Sequence, residues 1–231
     1  MPSEKNKEKV ILDAAAHLFT SKGFQATRME DVAKQAGISK GLTYFYFKNK
    51  EDLYLALTRK AFDQFREVFK EVIRKKGRTG LDQICDLFSS VSSFAKSNQV
   101  YFNSIVDFLD LLKKYNNPET REGIHPRILE SEQFHKLLET HHEPAKLGIR
   151  MISQGIKDGS IRPELQPEIT FYTIWSMMIG YEKLRGPIGY EEKEIKINDE
   201  NWENGYLKLI RDMLKGTVQA SKPVTVQGSL F

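Results

Sequence analysis

Between Gly37 and Lys50 the chain reads Ile38-Ser39-Lys40-Gly41-Leu42-Thr43-Tyr44-Phe45-Tyr46-Phe47-Lys48-Asn49. Four successive aromatics in a short segment with no long apolar stripe make a poor core and a good contact surface. One face can pack while the other meets a polyanion. Tyrosine hydroxyls bond phosphates or base edges, and aromatic rings and Leu42 touch thymine methyls. Covalent chemistry has no comparable support. No nucleophile–base pair or carboxylate pair stands out, so no enzyme activity and no cofactor are expected. His125, His135, His141 and His142 lie among prolines and acids. They lack a close ligand spacing such as His-Glu-x-x-His, so no metal site is expected. Gly186-x-x-Gly189 is too short a signal for a phosphate loop.

The charge is placed to suit the same surface. The first fifty residues carry nine Lys/Arg against five Asp/Glu and so hold the whole net charge of +4. The rest of the chain is balanced. A basic module beside a neutral one suggests division of labour, because phosphate neutralisation is the sequence-independent part of DNA affinity. A solvated lysine face is the plainer alternative. One cysteine, Cys85, excludes an intrachain disulfide and agrees with a reducing compartment. The charged start MPSEKNKEKV lacks the apolar run of a signal peptide. The apolar stretch Ile169 to Gly180 falls short of the roughly 20 residues of a membrane span. A cytoplasmic protein with no membrane partner is therefore expected.

Helix punctuation runs through the chain and strand signals are nearly absent, which predicts an all-α fold. Val10/Ile11, Ala14/Ala15 and Leu18/Phe19 repeat along a helix over 4–22 that stops at Gly23. Thr27-x-x-Glu30 reads as a capping box opening a second helix, which ends at Gly37. Ser39 can cap a short third helix over 40–47, and Asn49 a long fourth over 50–75 carrying Leu53, Leu57, Phe62, Phe65 and Phe69. Further helices are expected near 81–97, 99–115, 126–142, from Pro144 to about 158, and over 167–185 and 200–215. Residues 186–199 read as a long connection and 216–231 as a mobile tail. Helix, tight glycine turn and short second helix make a helix-turn-helix, in which the second helix enters the major groove. This divides the chain into a DNA-binding domain over 1–50 and a sensing and dimerisation domain over 51–215.

From Ile11 to Leu57 the sequence ILDAAAHLFTSKGFQATRMEDVAKQAGISKGLTYFYFKNKEDLYLAL resembles the tetracycline-repressor (TetR) family. The shared pattern is an alanine-rich helix ending Leu-Phe-x-x-x-Gly-Phe, then Thr-x-x-x-Asp-Val-Ala-x-x-Ala-Gly-Ile-Ser, Tyr-x-Tyr-Phe and Lys-x-Lys-Glu-x-Leu. A weaker echo lies at Gly155-Ile-Lys-Asp-Gly-Ser-Ile-Arg162. The resemblance implies that Thr27, Tyr44 and Lys50 touch phosphates, with Arg28 as a further contact. It implies that Ser39, Lys40, Gly41, Leu42, Phe45 and Tyr46 lie in or beside the major groove, Gly41 letting the backbone approach a base. Thr27 and Ser39 can equally serve as helix caps. Thr43 stands where the family commonly has a larger aliphatic, and its methyl is expected to pack inward.

The helix over 167–185 is apolar all round and must be covered all round. The stripe Trp202, Tyr206, Leu209, Ile210 and Met213 on the last helix joins it as half of an expected four-helix homodimer interface, with Phe171 and Met178; a wholly intrachain core is the alternative. By family resemblance Phe88, Phe94, Phe102, Ile105, Phe108, Trp175 and Met178 surround an inducer pocket, although any one of them can be core. Asp107 falls opposite the apolar stripe of its helix and is expected to face water. The implied partners are double-stranded operator DNA, a second copy of the chain and a small apolar inducer. The implied activity is that of a ligand-responsive repressor released from a palindromic operator. A helical carrier or enzyme retaining an ancestral DNA module is the competing reading.

Overall fold

A computed structural model describes residues 4–185 and 199–215. These form twelve helices, and no strand occurs among them. The expected long connection and tail, residues 186–198 and 216–231, lie outside the described residues.

Three helices make the N-terminal head: α1 (Glu4–Ala26), α2 (Met29–Ala36) and α3 (Lys40–Tyr46). Ile11, Ala15, Leu18 and Phe19 of α1 are buried as the apolar pattern required, whereas Val10 is 39% exposed. Gly23 breaks the helical path with φ 80°, in the left-handed region that suits glycine. The capping box expected at Thr27 is displaced by one residue. Arg28 is the N-cap, and the Asp31 carboxylate accepts its backbone N–H at 3.2 Å. The Thr27 hydroxyl is already committed, donating to the Gly23 carbonyl at 2.8 Å. Gly37 ends α2 with φ 66°, and its N–H returns to the carbonyls of Ala33 and Lys34. Ser39 caps α3 by accepting the Leu42 N–H at 3.2 Å.

The body is built round α4 (Lys50–Arg74), capped by Asn49, whose side chain accepts the Asp52 N–H at 2.8 Å. Leu53, Leu57, Phe62, Phe65 and Phe69 are all buried. Around it lie α5 (Gly80–Ser97), α6 (Gln99–Asn116), α9 (Glu132–Thr140) and α10 (Glu143–Lys157). Two one-turn helices, α7 (Pro118–Arg121) and α8 (Pro126–Leu129), connect α6 to α9. One helix was expected over 126–142. The chain instead restarts at Ser131, whose hydroxyl accepts the Gln133 and Phe134 N–H groups and donates to Asp52 at 2.6 Å. That buried bond ties the first turn of α4 to the start of α9.

The outer helices are α11 (Pro167–Leu184) and α12 (Asp199–Lys215). A Cβ on Gly148 of α10 would meet the Phe171 ring at 1.9 Å, so only glycine lets α10 and α11 approach this closely. α12 packs on α5: Tyr206 stacks on Phe88 at 4.5 Å, and Trp202 meets Tyr181 edge-on at 4.9 Å.

Candidate nucleic-acid interface and ligand cavity

α3 is anchored inward at its middle and at its C-terminal end. Thr43 is fully buried, its hydroxyl donating to the Ser39 carbonyl, and Phe47 is buried at the C-terminal end. That anchoring turns the remaining side chains outward. Phe45 is 76% exposed and Tyr44 39%, while Ser39, Lys40 and Gly41 are also exposed. Leu42 and Tyr46 are half-buried, and the Tyr46 ring meets Phe45 edge-on at 5.5 Å. The exposed Phe45 is the telling feature. A phenylalanine held in water on a rigid helix gains from a partner that removes it from water.

Lys40 does not present a bare charge. Its ammonium lies 2.6 Å from Glu30 of α2, and this contact holds the Glu30 carboxyl below its usual range and raises Lys40. Arg28 is exposed beside them. Two expected phosphate contacts stand differently from the rest. Thr27 is 1% exposed and its hydroxyl is spent on α1, so it offers no surface to a phosphate. Lys50 folds its ammonium back onto the carbonyls of Phe24 (2.8 Å) and Gln25 (3.2 Å), over the Phe24 ring at 4.4 Å. It clamps the end of α1 to the start of α4 before it can reach outward.

Within the body, α4, α6, α10 and α11 enclose a cavity of about 150 Å³. Its walls are Phe62, Phe65 and Phe69 of α4, Ile105, Leu109 and Leu112 of α6, Pro144 and Ala145 of α10, and Phe171, Tyr172 and Trp175 of α11. His141 and His142 supply its polar edge. Nδ1 of His141 lies 3.0 Å from both the Leu137 and Leu138 carbonyls. Two carbonyl acceptors hold a proton on that nitrogen.

Of the residues expected round a pocket, Ile105 and Trp175 line this cavity. Phe88 does not, because it is covered by Tyr206. Phe94 packs on Phe65 and borders a separate groove between α4 and α5. Phe102 and Met178 are sealed in the core away from the cavity, and Phe108 lies on another face of α6. The α4 phenylalanines were legible as a stripe but read only as core. Their role appears once α10 and α11 fail to close over them completely.

The expected dimer residues also need correction. Phe171, Met178 and Ile210 are 2%, 1% and 0% exposed within one chain and have no surface to share. Trp202, Tyr206 and Met213 are half-buried, the first two within the aromatic stack under α12. Leu209 remains 52% exposed, and α11 exposes Ile169, Tyr172 and Leu184. Among the described residues no group of three or more metal-ligating side chains occurs, and no helix is long and apolar enough to cross a membrane.

A three-helix head with an outward recognition helix, set on an all-helical body with an apolar cavity, defines a helix-turn-helix transcriptional regulator. Residues 11–57 match the model of the bacterial regulatory proteins of the tetR family, so the head of this chain is similar to theirs. The chain is 27% identical over 161 residues to the HTH-type transcriptional repressor KstR2 of Rhodococcus jostii, covering 70% of this chain and 71% of that protein. It is 37% identical over 76 residues to the fatty acid metabolism regulator protein of Bacillus subtilis, covering 33% of this chain and 39% of that one. Its fold is similar to that of AibR, solved in complex with isovaleryl coenzyme A and operator DNA, with a TM-score of 0.61 at 17% identity over 88% of this chain and 97% of that one.

Proposed function

We propose that this protein is a ligand-responsive repressor that binds a palindromic operator as a homodimer, and not an enzyme. The observation that carries the reading is the outward face of α3, where Phe45 and Tyr44 stand in water beside Lys40 while Thr43 and Phe47 pin the helix from behind. Ser39, Lys40, Gly41, Leu42, Phe45 and Tyr46 form the proposed groove-reading surface, with Tyr44 and Arg28 as flanking phosphate contacts. Lys50 acts there chiefly by holding the head to α4. The name of KstR2 supports the repressor sense, and a relative in fold is bound to operator DNA.

The ligand proposed for the inner cavity is small and apolar with one hydrogen-bonding end directed at His141 and His142. An engineered apolar cavity of about 150 Å³ holds benzene, which sets the scale for the cavity as it stands. α4 carries three walls of the cavity and, through Lys50, the clamp on the head. It is therefore the proposed lever. A ligand shifts the DNA-binding population only by its differential affinity for the two arrangements.

The dimer proposed here uses the outer face of α11 together with α12. Tyr172, Ser176, Gly180 and Leu184 follow one another at four-residue steps, and nothing lies within 4 Å of a Cβ placed on Gly180. Small residues between two apolar ones let a partner helix approach. Leu209 extends that surface. Two recognition helices related by a two-fold axis would then meet half-sites about one DNA turn apart, roughly 34–36 Å. A cytoplasmic location is part of the same proposal.

Footprinting on DNA upstream of the protein's own gene tests this reading. A protected pair of inverted half-sites supports it. An unprotected fragment at low salt, with and without metabolite extract, favours the carrier or enzyme reading instead.

A further inference from the structure

α6 separates two cavities. Ile105, Leu109 and Leu112 line the inner one, whereas Asp107, Phe108 and Leu111 line a second of about 400 Å³ at the junction of head and body. Its other walls come from Phe24 at the end of α1, from Tyr54 and Leu55 on α4, and from Ile128 on α8. The volume lies within the roughly 300–1,000 Å³ of small-molecule clefts. Its lining is mostly apolar and includes two carboxylates, Glu51 and Asp107, and no lysine, arginine or histidine.

Among the described residues these carboxylates have no ion-pair partner. Asp107 is exposed and accepts one hydrogen bond, from the Tyr54 hydroxyl at 2.5 Å. Glu51 is half-buried and forms no ion pair among the described residues. The nearby ammonium of Lys50 is satisfied by the Phe24 and Gln25 carbonyls. One face of Phe24 already carries the Lys50 ammonium at 4.4 Å, which leaves the Tyr54 and Phe108 rings beside these carboxylates to attract a cation whose body is apolar.

We propose that this junction cavity is a second effector site, for a small hydrophobic monocation of the aromatic amine or quaternary ammonium class. The ligand lies between Phe24 of the head and α6 of the body, with its charge toward Asp107 and Glu51. A molecule seated there touches both parts at once, so its affinity depends on how they are docked. By linkage, its binding changes the affinity for DNA. The binding claim stands without the regulator reading, whereas the effect on DNA rests on it.

Calorimetric titration of the full chain without DNA tests the site, using benzyltrimethylammonium as probe and benzyl alcohol and phenylacetate as neutral and anionic controls. The cation should bind at least about tenfold more tightly than either control. Asp107→Asn and Glu51→Gln should each weaken it by about three- to fivefold, the scale of one half-exposed charge contact, and leave benzyl alcohol unaffected. No binding up to about 10 mM, equal binding of the alcohol, or full affinity in both variants would overturn the site. The regulatory claim is read separately, as a change in DNA affinity when the cation is added. If DNA binds equally well with and without the cation, that claim falls. If the chain binds no DNA at all, the titration still decides the site.

Discussion

Phe45 and Thr27 carry opposite expectations, and both can be measured. In the proposed complex Phe45 gives up its exposed ring to a base edge, so Phe45→Ala should lose about 1–2 kcal/mol of operator affinity, roughly tenfold, with no loss of thermal stability. Thr27 lies at the head of α2 but is sealed against α1, its hydroxyl on the Gly23 carbonyl. Thr27→Val should therefore cost about 1 kcal/mol of stability and leave the folded protein's affinity for DNA unchanged. Should Thr27→Val instead lose affinity at full stability, the phosphate role would return. Anisotropy titrations paired with urea melts separate the two effects.

At the scale of elements, helix ends were the most legible feature of the chain. Ser39 and Asn49 cap α3 and α4 as read, Gly37 stops α2, and Gly23 breaks the path of α1, which resumes to Ala26, because each signal acts within a few residues. Thr27 misled because its hydroxyl had two possible acceptors and donors, and only folding decided between them. The break at Ser131 went unread for a related reason: its cap works together with Asp52, distant in sequence. The cavity was least legible. Phe62, Phe65 and Phe69 form the same pattern whether the opposing helix closes on them or leaves a gap, and that gap depends on Gly148, Pro144 and Phe171 meeting from two other helices.

The contacts between elements also predict a pH response. Burial first, and the bond to Asp107 second, push the Tyr54 phenol well above its usual range; burial does the same for Tyr206. A group whose pKa is raised on folding adds stability that is complete below its unfolded pKa and is lost as pH rises towards the folded value. Stability should therefore decline above about pH 10, where an unfolded tyrosine ionises. Urea midpoints measured from neutral to alkaline pH should fall less steeply for Tyr54→Phe than for the natural chain. Equal slopes would show that Tyr54 ionises as freely in the folded state.

For the whole molecule, dimerisation and DNA binding should fail together. The surface proposed for pairing is the exposed face of α11 with Leu209, and not the buried Phe171, Met178 and Ile210. Leu184→Glu with Leu209→Glu should yield a folded monomer in sedimentation and weaken operator binding by more than tenfold, since one half-site forfeits the linked second contact. A dimer that persists in this double variant would place the interface elsewhere.

The central claim is that α3 presents its outer face to a DNA duplex. Its most direct test is the salt dependence of binding to the protected upstream duplex, measured for the natural chain beside Phe45→Ala and Tyr44→Phe. The account predicts affinity falling linearly in the logarithm of salt concentration, with Phe45→Ala weaker on the operator but equal to the natural chain on unrelated duplex, and Tyr44→Phe weaker on both as the loss of a phosphate contact requires. Identical curves for all three proteins on the operator would contradict it.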